Sequence, residues 1–367
     1  MDRKKLNAAW YNNLYILPII LSLIGLYFVY EASSIRAIEA YKDDMYFLKR
    51  QILWCGLGIT SMILVSRISY RRLSSLALPA IIFSLITLVA VLIPGIGSKI
   101  NGASRWIDLG PFGFQPAEFV KLSVILYLAA WFRQREKQRI FAFIALLLLL
   151  AGLVMLQPDM GTAIIIITLS LGMYFIAGVQ IRQLLWVLPV FVGIAVVTAQ
   201  SASYRLHRLR VLFDSTLDPL GIGYHVRQVT IALQNGGLLG LGFGASKQKN
   251  LFLPEAHTDS IFAIFVEEMG FIGAIGLIIL YALFLYYLYR VIVQTKDRYG
   301  FMLASGILIF FGIQSILNLA AMTKLAPLTG VPLPFISSGG TNLLVSYILV
   351  GIVISVSRHP VFAKYKS

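Results

Sequence analysis

Long apolar stretches separated by short polar segments dominate the sequence. A helix needs roughly 17–25 mostly apolar residues to cross a bilayer, and ten stretches reach or approach that length. We predict transmembrane helices at about residues 14–32, 51–66, 76–93, 117–132, 140–156, 161–178, 183–199, 260–289, 300–322 and 342–357. The second and fourth are short, at about 16 residues. The pattern predicts an all-α polytopic membrane protein in which residues 1–367 form one transmembrane domain.

Three connecting segments are longer and richer in glycine and proline than the others. They cover about residues 94–116, 200–259 and 321–341. Irregular backbone at membrane depth persists only where it is buried in protein or lines a water-filled cavity. We therefore expect the three segments to line a common cavity.

Composition and charge placement support this topology. The chain is 58% hydrophobic and 13% charged, whereas a soluble domain carries roughly 25% charged residues. A net charge of +15 could indicate a nucleic-acid-binding protein, but the basic residues are distributed as in a membrane protein. With the N-terminus inside, the inside segments hold 17 Lys and Arg residues and the short outside loops hold 7. This asymmetry predicts that both termini are cytoplasmic and that the three long segments face outward, with no nucleic-acid partner.

The outward segment Leu251–Asp259, LFLPEAHTD, concentrates polar chemistry at the start of an apolar stretch. Asp259 is placed either to cap the following helix, where the helix dipole would favour its charge, or to act as a general base if burial raises its pKa. Glu255 and His257 add possible acid, base or metal-binding groups. Glu267 and Glu268 lie within the predicted span, where at least one should need a polar partner.

Ionisable residues also occur in the segment Gln115–Lys121, QPAEFVK. Glu118 and Lys121 are three residues apart and share one face of a helix. One interpretation is a structural ion pair that ties two helices together. The other is a ligand-facing pair in which Lys121 meets a phosphate as a point charge.

Three further outward features have two possible interpretations each. Asp159, in the turn QPDMG, is placed either to cap the next helix or to serve a site. Arg105 and Trp106 form either a membrane-interface anchor or a phosphate grip. The basic cluster of Arg205, His207, Arg208 and Arg210 is either a lipid-facing patch or an anion clamp.

Taken together, the motifs resemble those of the SEDS family (shape, elongation, division and sporulation) of peptidoglycan glycosyltransferases. The resemblance covers about residues 12–358 and rests on NGASRWIDLG, QPAEFVK, QPDMGT, LPEAHTD with the following Glu pair, and PLPFISSGG, in that order. The LPEAHTD motif and Lys249 favour the FtsW-like branch. The sequence departs from the family pattern at Ala117 and Ser338.

The resemblance implies an inverting glycosyltransferase of the cytoplasmic membrane with its active site outward. It would polymerise lipid II into β-1,4 glycan strands and release undecaprenyl pyrophosphate, in cell division or cell-shape maintenance. Asp259 aligns with the family's essential aspartate and is the expected base. The candidate substrate-binding residues are Arg105, Trp106, Glu118, Lys121, Gln157, Asp159, Arg210, Lys249, Glu255, His257 and Ser337.

The resemblance also implies a cofactor and partners. A divalent cation, Mg²⁺ or Mn²⁺, is expected, with Glu255 or Asp159 as possible contributors to its site. A class B penicillin-binding protein, the transpeptidase, and other membrane proteins of the divisome or elongasome are the expected partners. A lipid II flippase is the alternative function, although the acidic and glycine-rich features collect on the outer side.

Overall fold

The computed structural model describes residues 3–100, 103–110, 112–134, 139–178, 208, 210–212, 214 and 217–358. These ranges contain ten α-helices, a short 3₁₀ turn at Tyr70–Arg72 and one three-stranded sheet. The helices are α1 (Arg3–Tyr41), α2 (Tyr46–Arg67), α3 (Leu73–Ala90), α4 (Pro116–Trp131), α5 (Ile140–Leu156), α6 (Met160–Ile176), α7 (Ile222–Gly236), α8 (Ile261–Gln294), α9 (Arg298–Met322) and α10 (Gly340–Arg358). The strands are β1 (Gly97–Ile100), β2 (Ala103–Leu109) and β3 (Phe112–Phe114).

Nine of the predicted spans coincide with helices α1–α6 and α8–α10. The seventh predicted span, residues 183–199, lies outside the described residues. Within the described part of the chain, α1, α2, α3, α8, α9 and α10 are long and apolar enough to cross a membrane, and α5 and α6 are shorter apolar helices. The short second span was wrong, because α2 has 22 residues and begins in the polar stretch before residue 51.

Two of the segments that we predicted to be irregular contain regular structure. Residues 94–116 include the antiparallel sheet, in which β2 pairs with both β1 and β3. Residues 200–259 include α7, whose polar residues alternate with apolar ones and therefore gave no apolar stretch to detect. A helix of this kind is typical of a surface rather than of a membrane span.

Helix α10 lies at the centre of the bundle. It packs along α2 and also contacts α1, α4, α8 and α9. Small residues allow the close packing: a methyl group at Gly58 would lie 2.4 Å from the Tyr347 ring, and one at Gly351 would lie 2.7 Å from the main-chain oxygen of Met62. Close packing through glycine replaces the hydrophobic driving force that a bilayer does not supply between helices.

The glycine-rich connection after α7 is fixed against α8. The main-chain N–H groups of Leu241 and Gly242 donate to the oxygens of Glu267 and Glu268, each at 3.0 Å. A side chain at Gly240 would lie 2.0 Å from the oxygen of Glu268, and Gly270 has a φ of 67° that interrupts the helical backbone of α8. Both glycines are therefore required by backbone contact. Through this contact, α7 and its following loop are held beside the first turns of α8.

Candidate active site at the start of α8

Asp259 lies immediately before α8 in a tightly turned segment. The N–H groups of Thr258 and Ser260 both donate to the main-chain oxygen of Glu255, at 3.1 and 3.2 Å. The side-chain amide of Asn318, on α9, donates to the oxygens of Asp259 and Val331, each at 2.8 Å. The N-terminus of α8, helix α9 and the loop after α9 therefore fix the backbone at Asp259.

Asp259 does not cap α8, so the capping interpretation was wrong. The residue at the N-cap position is Ser260, and it makes no side-chain capping hydrogen bond. Its hydroxyl instead pairs with Nε2 of His225 at 2.6 Å. The Asp259 carboxylate has a 3.4 Å contact with the Thr258 hydroxyl, and its Oδ2 lies 3.8 Å from the position of a side chain at Gly330. The carboxylate is thus not engaged by the free N–H groups of the helix.

The environment of Asp259 makes its carboxylate a stronger base. The residue is only 9% exposed. Burial, followed by the negative charge of Glu255, raises the pKa of Asp259 to about 7, while Thr258 and Arg208 act in the opposite direction. A carboxyl group with this pKa is substantially ionised at neutral pH and still accepts a proton readily.

Glu255 and His257 lie beside Asp259 in different environments. Glu255 accepts a hydrogen bond from the Thr258 hydroxyl at 3.0 Å and has Arg36 at 3.9 Å. His257 is 5% exposed and packs its ring 4.6 Å from that of Phe47. Burial lowers the pKa of His257 to about 4, so its imidazole is neutral at pH 7.

His225, Asn318 and Arg36 were not among the residues singled out from the sequence, whereas Arg208 belongs to the predicted basic cluster. His225 is a neutral partner of Ser260, because burial and the charge of Arg208 lower its pKa to about 4 in spite of Glu255. Arg208 donates to the main-chain oxygen of Leu328 at 2.9 Å. Of His225, Asn318 and Arg36, only Asn318 carried a detectable signal, as an amide within an apolar stretch.

The adjacent acidic pair of α8 has the polar partners that its burial requires. Glu267 accepts from the Asn235 side chain at 2.9 Å and from the N–H of Gln248 at 3.2 Å. Glu268 accepts from the N–H groups of Gly244 and Ser246 at 3.1 and 3.2 Å. The expectation that these buried carboxylates need partners is confirmed.

Lys249, a predicted substrate-binding residue, is engaged within the protein. Its ammonium forms an ion pair with Glu31 of α1 and lies 3.4 Å from Glu268 of α8. It also donates to the main-chain oxygen of Gly244 at 2.7 Å. Lys249 thus ties α1, α8 and the glycine-rich loop together.

Glu118 and Lys121 form a second, fully enclosed polar cluster. Their ion pair measures 2.7 Å, and both residues are at most 2% exposed. Lys121 also donates to Gln314 of α9 at 3.2 Å, and Glu118 accepts from Asn342 of α10 at 2.7 Å. The cluster joins α4, α9 and α10, and this geometry favours the structural ion pair over the ligand-facing pair.

The predicted residues near the sheet are also engaged by the protein. Arg105 donates to the main-chain oxygens of Gln157, at 2.9 Å, and of Pro158. Gln157 is buried and its amide donates to the oxygen of Leu88 at 3.0 Å. The predicted cap at Asp159 is confirmed, because its carboxylate accepts from the N–H and the hydroxyl of Thr162, each at 3.0 Å.

The remaining predicted residues differ in exposure. Trp106 is half-buried and packs over Gly113 of β3, at 3.3 Å from the position of a side chain there. Ser337 is buried and accepts a hydrogen bond from the N–H of Leu333 at 2.8 Å. Its neighbour Ser338 donates to the main-chain oxygen of His257 at 2.9 Å. Arg210 is exposed.

The donor set in the described residues does not fit a metal held by protein side chains alone. No group of three or more His, Cys, Asp and Glu side chains in that part of the chain is arranged to hold an ion. Of the two predicted contributors, Asp159 has both carboxylate oxygens engaged by Thr162, and Glu255 is engaged by Thr258 and Arg36.

The sequence is similar to curated proteins over nearly its whole length. It is 38% identical to the protein named "Probable peptidoglycan glycosyltransferase FtsW" of Trichlorobacter lovleyi, covering 97% of this chain and 95% of the relative. It is 36% identical to the stage V sporulation protein E of Bacillus subtilis, covering 94% and 96%.

Solved structures share the fold. A chain from a study of structural coordination of polymerization and crosslinking by a peptidoglycan synthase complex superposes with a TM-score of 0.78 at 30% identity, covering 96% of this chain and 98% of the other. The rod shape determining protein RodA of Thermus thermophilus gives a TM-score of 0.70 at 30% identity, covering 95% and 96%. The chain is thus an α-helical polytopic membrane protein.

The family pattern for FtsW, RodA and SpoVE, described as a cell cycle protein, matches residues 11–361. Nearly full-length relatives and solved structures agree with that match. The chain therefore belongs to the FtsW/RodA/SpoVE family of cell cycle proteins.

Proposed function

We propose that this protein is a peptidoglycan glycosyltransferase that polymerises lipid II, with Asp259 as its general base. The names of its relatives support the activity. The observation that carries the catalytic assignment is the buried, uncapped carboxylate of Asp259, whose pKa is raised to about 7. An aspartate held only as a helix cap would have its charged form stabilised instead.

The reaction joins two lipid-linked substrates. The C4 hydroxyl oxygen of the acceptor N-acetylglucosamine forms a bond to the anomeric carbon of the N-acetylmuramic acid at the end of the growing strand. The bond from that carbon to the pyrophosphate oxygen breaks, and undecaprenyl pyrophosphate leaves with the bonding electrons. Attack from the opposite face inverts the anomeric carbon and gives a β-1,4 linkage.

Asp259 accepts the proton that the C4 hydroxyl loses as the new bond forms. General bases of this kind contribute roughly 10²–10⁴-fold to rate. Positive charge near the departing pyrophosphate would stabilise the negative charge that develops there. The candidates for that role are Arg208 and Arg210. The positive charge of Arg208 is near enough to lower the pKa of Asp259, and Arg210 is exposed.

The excess of basic residues in the inside segments supports a cytoplasmic-membrane protein with cytoplasmic termini and an outward active site. The similarity to a chain of a complex that coordinates polymerization and crosslinking supports a class B penicillin-binding protein as partner. Proteins of the divisome or elongasome would then place the pair at the sites of wall synthesis.

The test is polymerisation of purified lipid II by the full chain together with its cognate transpeptidase. Asp259→Asn should fold normally and lower the rate roughly 10²–10⁴-fold. Asp43→Asn, at a partly exposed aspartate paired with Lys49, is the matched control and should polymerise normally. Long strands made by Asp259→Asn at the wild-type rate would show that Asp259 is not the base.

A further inference from the structure

The glycine-rich connection between α7 and α8 exposes a cluster of large apolar side chains. Residues 238–243 are called the apolar loop here, and its exposed members Leu238, Leu239, Leu241 and Phe243 are 41–79% exposed. A contiguous exposed apolar patch marks a surface that binds a partner or a membrane. Within the described residues, nothing covers these four side chains.

The polar backbone of the apolar loop is paired with α8. The N–H of Phe271 donates to the main-chain oxygen of Gly237 at 2.9 Å. The N–H of Ile272 donates to that of Leu238 at 3.2 Å. The break in α8 at Gly270 turns these two groups toward the loop, and two loop N–H groups donate back to α8 as described above. Irregular backbone is tolerated at membrane depth only where protein satisfies its polar groups in this way.

The charge pattern of α8 places the apolar loop at a membrane boundary. Between Glu268 and Arg290, α8 has 21 residues without a charged side chain. This length matches the roughly 17–25 residues that cross a bilayer. The end of the stretch nearest Asp259 lies at Gly270 and Phe271, where the loop is bonded to α8. The loop therefore lies level with the end of the hydrocarbon layer.

Helix α1 gives the same boundary independently. The 25 residues before Glu31 carry no charge, and the Glu31 carboxylate is paired with Lys249, just beyond the apolar loop. Charged side chains of a span are expected at its ends or facing the protein interior. The ring of Phe243 packs edge-on at 5.8 Å against that of Tyr27. Tyr27 lies one turn of α1 from Glu31, on the apolar side, so Phe243 reaches into the hydrocarbon level.

Lipid is the occupant that this surface fits. The loop is continuous with the exposed apolar surface of α8 at Phe271, Ile272 and Ile275, which are 41–60% exposed. Helices that pack against each other in a membrane use small residues at the contact, whereas the loop presents leucine and phenylalanine. Bulky apolar side chains beside a polar segment are typical of elements that lie in the boundary between head groups and acyl chains.

We propose that the apolar loop inserts its leucine and phenylalanine side chains into the bilayer leaflet nearest Asp259 and anchors α7 there. The chain continues from the loop through Lys249 into the segment Leu251–Asp259. The anchor therefore sets the height of Asp259 relative to the lipid surface. The bound surface is lipid, and neither a partner helix nor a second copy of the chain is required. The inference is independent of the reaction proposed above.

The test places one nitroxide label at a time on the full chain in nanodiscs of phosphatidylethanolamine and phosphatidylglycerol. Cys55→Ala first removes the single cysteine. Labels are then attached at Leu239→Cys and, as a second loop site in case that variant does not fold, at Phe243→Cys. Lys247→Cys is the matched polar control, because Lys247 is exposed on the same connection. Ile279→Cys is the lipid reference, because Ile279 is 60% exposed within the uncharged stretch of α8.

The readout is the access of each label to oxygen, which dissolves in hydrocarbon, and to a nickel chelate, which stays in water. The loop labels should be reached by oxygen, and severalfold less by the chelate than the label at Lys247. Equal access of the chelate to the loop labels and to Lys247 would overturn the proposal. Exclusion of both reagents from the loop labels would also overturn it, because protein would then cover the loop.

Quenching by brominated lipids measures depth directly. Bimane attached at Leu239→Cys or Phe243→Cys should be quenched more by lipids brominated near the head group than by lipids brominated at the chain ends. Bimane at Ile279→Cys should show the reverse order, and at Lys247→Cys neither lipid should quench it. Equal quenching at Lys247 and at both loop sites would contradict insertion. Neither readout uses lipid II, so failure of the proposed activity and failure of the lipid anchor are distinguishable.

Discussion

The side-chain amide of Asn318 donates hydrogen bonds of 2.8 Å to the main-chain oxygens of both Asp259 and Val331. Asn318 is 1% exposed and lies on α9. One amide thus serves carbonyls from two chain segments and fixes their separation. Asn318 is a positioning residue, because it holds the backbone of the proposed base without contacting its carboxylate in this structure.

Replacing Asn318 with leucine should leave both carbonyls without this donor and displace Asp259. Each unpaired buried group costs about 1–3 kcal/mol. We expect kcat to fall at least roughly tenfold, because small misplacements of a catalytic group are costly, with a smaller change in KM. The measurement is steady-state polymerisation of lipid II per folded molecule, with folding assessed by Tm.

Ser315→Ala is the matched control for Asn318→Leu. Ser315 is buried on the same helix, and its hydroxyl has no hydrogen-bond partner within the described residues. The control should keep both Tm and kcat. A lowered Tm with unchanged kcat in Asn318→Leu would show that the amide stabilises the fold without positioning the base.

The contact between Asn318 and Asp259 illustrates what the sequence could not predict. The hydropathy pattern predicted nine of the described helices, because a helix surrounded by lipid is apolar along its whole length and is therefore visible in the local sequence. Asn318 and Asp259 are 59 residues apart, and no local pattern indicates which amide reaches which carbonyl. Helix α7 was missed for a related reason, since an amphipathic helix depends on its packing partner.

The side-chain roles show the same limit. Local geometry correctly predicted the cap at Asp159, because its carboxylate and the N–H group of Thr162 that donates to it lie within three residues. The same reasoning failed at Asp259, where the turn closed by Glu255 moves the N-cap position to Ser260. Arg105 suggested a phosphate ligand and Lys249 a substrate contact, but the fold supplies each with partners from distant segments.

The acid limb of the pH–rate profile should move when Glu255 is made neutral. Asp259 must be ionised to accept a proton, so the rate should rise with pH through its pKa of about 7. Glu255 is the charge that contributes most to this raised pKa after burial. Glu255→Gln should therefore lower the pKa and shift the acid limb to lower pH by up to about one unit.

The profile is measured as kcat/KM, which reports the pKa values of the free enzyme, against pH for wild type, Glu255→Gln and the partly exposed control Asp43→Asn. The control should superimpose on the wild type. Glu255→Gln should retain a larger fraction of its maximal rate at acidic pH. An acid limb that stays in place in Glu255→Gln would contradict the electrostatic coupling between the two carboxylates.

Ionisation of Asp259 should cost stability as pH rises. The carboxyl group loses its proton near pH 3.8 when unfolded and near pH 7 when folded, so the folded chain binds more protons between these values. The free energy of unfolding should therefore decrease with rising pH across this window, by up to about 4 kcal/mol at 1.36 kcal/mol per pKa unit.

Asp259→Asn removes this ionisation and keeps the shape of the side chain. Its Tm in detergent should match that of the wild type near pH 4 and exceed it above pH 7. An equal Tm for both proteins at every pH would show that the carboxylate is not buried in the folded chain. A variant that is more stable than the wild type but inactive is expected when a catalytic group lowers the free energy of unfolding of the protein that carries it.

The enclosed pair of Glu118 and Lys121 provides the last prediction. Lys121→Met leaves the Glu118 carboxylate buried with the Asn342 amide as its one remaining hydrogen-bond partner within the described residues. Breaking a buried pair in this way typically costs roughly 3–5 kcal/mol. The double variant Glu118→Gln, Lys121→Met removes both charges and should recover most of the lost Tm. If the pair is structural, polymerisation should recover together with Tm, because α4, α9 and α10 regain their packing. Recovery of Tm without recovery of the rate would instead show that Lys121 meets the substrate in a conformation that opens this cluster.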